Sequence, residues 1–539
     1  MKVGVSQQIL ILSLGLTGIF ATSTNSFAEA KKEIVKPGSV DAKAWVEFQE
    51  LRRRYRGGEI GDEGMWAAVT GIADEFPTMT RYQQASILQT QATLMSTAKH
   101  PILSAVYAAQ ALRDAAEPLD EEYRRSWVIL REVSRSYPIQ NIIEDIGSTI
   151  NLKGKPAPGF GGDWNYFLGN SLLKVNKSQE AMGEYQKVRA GDRYYLPAMF
   201  QVAMIFRDAN KKAEAIDTLK KIVSSSRENS RNLSITEFSA MHDHANMALG
   251  RIYYEERKFG DAIKQYRMVA RDGSQFYDSL FEQSWAMFLA GYPNHALGMI
   301  YGVQSPFFKD TFNPESTMLA SIIYYWMCRY DDSREELGKF ITQHQSSIDS
   351  LDKYLGKGAA DPMSYYRLFE DAVTGVSSEA LGIPREIVIM AAQQDNLLYV
   401  RDQYAAVITE IQKLDAKGIF SSRERLDGPR GYLDRWATVL RGEIGTKLYG
   451  ELKVMKSEYD RLYDQGQFLY IELLMSKKDQ LLGKELHGAD KFSQVTEMTG
   501  IRGWGKKTQA WAADDKQEYW ADELGYHIYR LQPMCVAKK

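Results

Sequence analysis

Small residues recur in register between Gly161 and Gln345, and that recurrence restricts the chain to stacked helices. One set falls at Ala181, Ala215, Ala262, Ala296 and Ser333, in steps of 34, 47, 34 and 37 residues, so insertions separate otherwise 34-residue units. A second set lies twelve residues earlier, at Gly169, Ala203, Gly250, Ser284 and Ser321. Apolar residues accompany both sets. Leu172, Phe206, Tyr253, Met287 and Tyr324 come three after the earlier set, and Tyr185, Leu219, Tyr266, Ile300 and Leu337 four after the later one. Val188, Ile222, Val269, Val303 and Phe340 close each unit. Two antiparallel helices approach closely only where the side chains between them are small. Each helix pair then leaves an apolar flank that only its neighbour can cover, so the units must stack.

A period of this length with this pattern resembles the tetratricopeptide repeat family. The resemblance implies an all-α fold, a helical-hairpin superhelix whose first helices line a concave groove, and a non-catalytic scaffold that binds a partner there. The chain departs from the family at the late proline, which all five units lack, and at Gln283, where a large apolar residue is usual. The fourth unit is therefore expected to pack loosely. Transferring the family's groove positions gives Tyr166, Asn170 and Leu173 in the first unit and Phe200, Met204 and Arg207 in the second. Met247, Arg251 and Tyr254 follow in the third, Phe281, Trp285 and Phe288 in the fourth, and Met318, Ile322 and Tyr325 in the fifth. These are too apolar for a face left in water, and a large exposed apolar patch marks an interaction site. Two occupants remain open: a helix or peptide segment of a protein partner, or the chain's own C-terminal helices.

The rest of the chain frames this array. Residues 1–28 read as a signal peptide: Lys2 supplies the positive start, Ile9 to Ala21 the apolar stretch, and Ser26-Phe27-Ala28 a cleavage site. Export follows as an expectation, to the periplasm if the source is Gram-negative, with no membrane span after signal removal. Residues 29–60 form a linker and a helix, 61–157 divergent helical repeats, 158–345 the five regular repeats and 346–384 a connecting segment. Residues 385–490 are expected to form a long antiparallel helical hairpin, and 491–539 an aromatic and acidic tail of short strands or extended chain. Within the hairpin, Leu448, Leu452, Met455, Tyr459, Leu462, Gly466, Leu469 and Leu473 alternate steps of four and three, a coiled-coil-like seam. Cys328 and Cys535 are the two cysteines. An oxidising compartment permits a bridge between them, and Cys328, inside a repeat helix, also fits the role of a small buried apolar residue.

Chemistry-bearing motifs are weak. The formal net charge of −2 gives no electrostatic case for nucleic acid. No Walker loop, nucleophile elbow or zinc-protease helix is present, and no cofactor or metal is expected. His242 and His244 are two apart and point to different sides of a helix. Glu315-Ser316 matches the catalytic pair of some lytic transglycosylases, but the flanking residues of that domain are missing. Asp514, Asp515, Glu518, Asp522 and Glu523 could hold calcium or form a solvated acidic turn. The phrase from Glu518 to Tyr526 resembles the ending of exported repeat proteins of delta-proteobacteria, some of the adventurous gliding-motility envelope machinery. That resemblance implies a cell-envelope complex, with motility as its process. Two other readings stand beside it: an accessory or degenerate peptidoglycan hydrolase, and a structural protein that self-associates through the long helices.

Overall fold

The computed structural model describes residues 43–73, 79–114, 121–134, 136–137, 159–230, 232–309, 311–356, 361–415, 427–482, 511–512 and 522–535. The expected signal peptide, the 153–158 part of the break before the repeats, and Asp514, Asp515 and Glu518 lie outside them. The described residues are mostly helical. In chain order the helices are α1 (Lys43–Arg56), α2 (Asp62–Ala73), α3 (Arg81–Thr97), α4 (Pro101–Asp114), α5 (Glu121–Val133), α6 (Gly161–Lys174), α7 (Ser178–Tyr185), α8 (Tyr195–Asp208), α9 (Lys212–Val223) and α10 (Ile235–Glu255). They continue as α11 (Phe259–Tyr266), α12 (Phe276–Leu289), α13 (Pro293–Val303), α14 (Glu315–Trp326), α15 (Tyr330–Leu355), α16 (Pro362–Thr374), α17 (Ser378–Leu381), α18 (Arg385–Ala392), α19 (Asp395–Asp415) and α20 (Asp427–Leu481). Two short strands, β1 (Trp511–Ala512) and β2 (His527–Ile528), pair in parallel. The chain divides into two compact units, residues 1–205 with 399–440, and residues 206–398 with 441–539.

The five regular repeats coincide with the pairs α6–α7, α8–α9, α10–α11, α12–α13 and α14–α15. One backbone device makes every one of these turns. Asn176, Asn210, Arg257, Gly291 and Cys328 adopt left-handed φ angles of 59°, 58°, 59°, 90° and 56°. The next residue then returns its N–H to the carbonyl five positions back: Lys177 to Leu172, Lys211 to Phe206, Lys258 to Tyr253, Tyr292 to Met287 and Arg329 to Tyr324. This closes the first helix by satisfying a carbonyl that would otherwise lack a partner. The acceptors are the set that follows the small residues by three.

Those small residues lie in the interior. Ala181, Ala203, Ala215, Ala262, Ser284, Ala296, Ser321 and Ser333 are fully buried. A Cβ added to Gly169 would come within 2.5 Å of the Tyr185 ring, and one added to Gly250 within 2.5 Å of the Tyr266 ring. In the fifth pair the contact is polar: Ser321 Oγ donates to the Ser333 carbonyl at 2.8 Å and Ser333 Oγ to the Ser321 carbonyl at 2.7 Å.

In the first unit, α3–α4 belongs to the same register. Lys99 is left-handed at φ 63°, and His100 N–H returns to the Met95 carbonyl at 2.8 Å. Ala92 and Ser104 stand seven residues before and five after Lys99, the offsets that Gly169 and Ala181 have from Asn176. Both are fully buried, and Ser104 Oγ donates to the Ala92 carbonyl at 2.8 Å. The helix α3 starts at a capping box in which Thr80 Oγ1 accepts from Gln83 N–H and Gln83 Oε1 accepts from Thr80 N–H.

In the second unit, α9 packs on α10, α11 on α12, and α13 on α14, so each pair covers the flank of the one before. The fourth pair is tightly packed, contrary to expectation. Every residue of α13 is buried, and Gln283 places its Nε2 2.8 Å from Met299 Sδ. The reason is the C-terminal strap. Asn294 exchanges both side-chain hydrogen bonds with the Leu531 backbone, its carbonyl accepts from Tyr529 N–H, and Gly298 lies so close to the His527 carbonyl that no Cβ fits between them. The strap ends at a disulfide between Cys328 and Cys535.

The long segment after residue 384 differs from a simple hairpin. Bonds of three-residue span from Gln393 to Met390 and from Gln394 to Ala391 end α18 before α19 begins. An ion pair between Arg430 and Asp415 joins the start of α20 to the end of α19. The apolar line on α20 is buried from Leu448 to Leu473. Leu462, Leu469 and Leu473 cluster with Met318, Tyr330, Leu337 and Phe340 of the fifth pair. Gly466 faces Met318 and Leu337, and Gly445 meets the Pro362 carbonyl on α16.

Candidate partner-binding face

The first helices of the pairs carry the predicted site residues, and the structure sorts these residues into three groups. Met247 and Phe288 are buried in the core, at 1% and 5% exposure, and present no surface to a partner. A second group is engaged by α20. Met318 belongs to the cluster with Leu462, Leu469 and Leu473, Ile322 and Tyr325 pack against it, and Tyr325 Oη lies 3.2 Å from Ser476 Oγ. The inner face of the fifth pair is therefore filled by the chain's own helix. Trp285 is half-buried and bonds to Glu315, which also lies 3.4 Å from Arg461 of α20.

The third group remains at the surface. In the first unit Tyr166 stacks on Tyr194 with centroids 4.5 Å apart and planes 6° from parallel, and the Phe167 ring meets Tyr194 edge-on. Arg193 lies 5.8 Å over the Tyr194 ring. Asn170 accepts a 2.6 Å hydrogen bond from Tyr185 Oη, which fixes the ring that fills the space above Gly169. Leu173, Phe200 and Met204 are half-buried. In the second unit Arg207 binds its neighbour Asp208. Arg251 forms a two-pronged bond to Glu282, Tyr254 packs edge-on against Phe259, and Phe281 is half-buried. Burial pushes the Tyr254 hydroxyl up to about 12, aided by Glu315 and Glu282, so it stays neutral and can donate.

Glu315, Asp243, His242, Asp522 and Glu523 all have structural partners. Glu315 sits in the first turn of α14; burial raises its pKa, while Arg461 and Trp285 draw it back. Asp243 accepts from Ala270 N–H at 2.9 Å and props the turn before α12, and His242 lies 3.2 Å from Ser225 Oγ. Of the acidic tail, Asp522 offers its carbonyl to Arg271, and Glu523 lies 3.7 Å from His527. Among the described residues no three His, Cys, Asp or Glu side chains converge on one point, and no helix is long and apolar enough to cross a membrane.

Sequence reasoning missed Glu410. Both its carboxylate oxygens accept from the N-terminus of α4, from Ile102 N–H at 2.8 Å and Leu103 N–H at 2.7 Å. Burial raises it to about 7 against the opposing pull of those bonds and of Lys413. No local signal marks it, because its partners are more than three hundred residues away in the chain. Compared with known proteins, the chain matches no family model, and no curated protein is similar to it.

Proposed function

We propose that the chain is a protein-binding scaffold of the tetratricopeptide type, exported to the cell envelope, and that it recognises an amphipathic helix of a partner protein. One observation carries this reading. The inner face of the fifth pair already holds a helix, the chain's own α20, through Met318, Ile322 and Tyr325 against Leu462, Leu469 and Leu473. The same face on the first two pairs offers Tyr166, Phe200 and Met204, which are the residue types that anchor helices in grooves. Rigid aromatic anchors supply most of the affinity in such contacts. The partner's helix would present apolar residues at three- and four-residue spacing to these rings. A place in motility machinery rests on the resemblance of the tail alone and is the finer part of the proposal.

The test is affinity capture from intact envelopes with the wild-type chain and with a Tyr166→Ala/Phe200→Ala variant. Capture of the partner is expected to fall at least tenfold while helicity by circular dichroism is unchanged. Equal capture by the two proteins would remove the inner face of the first unit as the binding site. Trp285→Ala serves as the comparison: its ring is held by Glu315 within the chain, so a smaller loss of capture is expected.

A further inference from the structure

The outer side of α20 carries a second apolar line. Asp464, Phe468, Ile471, Met475, Lys478 and Leu482 follow steps of four, three, four, three and four, the spacing of a two-helix seam. At 100° per residue this line lies opposite the buried seam of Leu462, Gly466, Leu469 and Leu473. Phe468, Ile471, Met475 and Leu482 are 71%, 55%, 64% and 61% exposed, and Leu474 and Leu481 beside them are also exposed. The apolar surface involved is on the order of several hundred Å² per copy, the scale that a standard interface takes from each partner. A contiguous exposed line of this size marks a docking surface.

Charge identifies the occupant. Asp464 and Lys478, both exposed, stand seven residues to either side of Ile471. Two copies of α20 laid antiparallel, with Ile471 on the two-fold axis, bring Asp464 of each copy opposite Lys478 of the other. Phe468 then meets Leu474 and Met475. A parallel arrangement would set Asp464 against Asp464 and Lys478 against Lys478, which is repulsive at both ends. From Asp464 to Lys478 the line is thus its own complement, as an isologous interface requires. We propose that the chain forms an antiparallel two-fold dimer through this outer line of α20.

Sedimentation equilibrium of the full chain over a range of concentrations tests it. A monomer–dimer equilibrium is expected, and Ile471→Glu, a change at an exposed position, should abolish the dimer while circular dichroism is unchanged. Asp464→Lys or Lys478→Asp alone should weaken the dimer about tenfold or more, because each creates two like-charge contacts. The double swap Asp464→Lys/Lys478→Asp should restore it. Ile471→Cys should give a covalent dimer on mild oxidation, and Val454→Cys should not. A chain that stays monomeric, or a dimer indifferent to Ile471→Glu, overturns the interface. A double swap that fails to restore association overturns the antiparallel register.

Discussion

The pairs α3–α4 and α14–α15 are built alike and held differently. Each turns through a left-handed residue, Lys99 in one and Cys328 in the other, and each is locked by serine hydroxyls bonded to carbonyls across the pair. Each is then tied from far downstream. The N-terminus of α4 is held by the buried carboxylate of Glu410, whereas the turn into α15 is held by the disulfide to Cys535. The second helices α7, α9, α11, α13 and α15 all start without a side-chain cap. Local sequence therefore makes the pair, and distant chain fixes it by a bond whose chemistry decides what can loosen it. One clasp is titratable and the other is redox-sensitive.

The largest expected effect comes from the covalent clasp. The bridge closes a loop between residues 207 apart. Cys535→Ser is expected to lower the stability of the second unit by about 4 kcal/mol, read from urea unfolding. The Met534 amide, which donates to the Met327 carbonyl, should lose its protection from hydrogen exchange. Protection at Ile102 and Leu103 should not change. Equal loss at both places would break the comparison.

Next in size is the titratable clasp. Glu410→Ala leaves the Ile102 and Leu103 N–H groups buried without an acceptor and should cost about 3 kcal/mol in the first unit. The pH dependence has a definite sign. Burial holds the folded-state pKa of Glu410 at about 7, above the ordinary 4.5. A raised carboxyl contributes stability that is fully present below pH 4.5 and is lost as pH rises through about 7. Glu410→Gln should flatten that slope. A slope unchanged by the Gln variant assigns the titration to another group and removes the distinction between the clasps.

A smaller effect probes the shared core of the pairs. Where the earlier small residue is glycine, the residue sixteen positions on is Tyr185 or Tyr266; where it is alanine or serine, that residue is Leu219, Ile300 or Leu337. The ring occupies the space a Cβ would need. Gly250→Ala should therefore cost about 2 kcal/mol by overpacking, and adding Tyr266→Leu should recover part of the loss by removing the ring that the new methyl meets. Failure of the second substitution to help would show that the ring is held for its polar end, not its volume.

Much of this was legible in advance, and the limits have physical causes. The register of the five pairs follows from residues such as Ala181 and Ala262, because small size at a fixed interval has one geometric use. The same interval joins Ala92 to Ser104, but a lone pair before the break at 153–162 has no second unit to confirm it. The turn residues gave no common letter, since Asn, Arg, Gly, Lys and Cys all serve at one backbone conformation. The pairing of Cys328 with Cys535 and the docking of Leu462, Leu469 and Leu473 on the fifth pair depend on long-range geometry that no local pattern encodes. Register alone does not encode exposure at the transferred groove positions: Met247 and Phe288 lie on first helices yet point into the core.

The smallest expected effect separates the two serine locks. In α3–α4 a single hydroxyl, Ser104 Oγ, crosses to the Ala92 carbonyl. In α14–α15 the hydroxyls of Ser321 and Ser333 cross in both directions and lie 3.1 Å from each other. Alanine fits such a contact, because Ala181, Ala262 and Ala296 hold the position of Ser104 and Ser333 in other pairs and are completely buried. Ser104→Ala therefore removes a hydrogen bond without creating a void larger than an oxygen, and should cost about 1 kcal/mol. Ser321→Ala leaves Ser333 Oγ with its carbonyl acceptor and should cost no more than that. The Ser321→Ala/Ser333→Ala pair should cost less than the sum of the single changes, because either single change already removes the contact between the two hydroxyls, and thermal unfolding of the four proteins measures the coupling. Strict additivity would mean that the two hydroxyls hold the pair independently, so that α14–α15 carries two separate locks of the kind that Ser104 supplies singly in α3–α4.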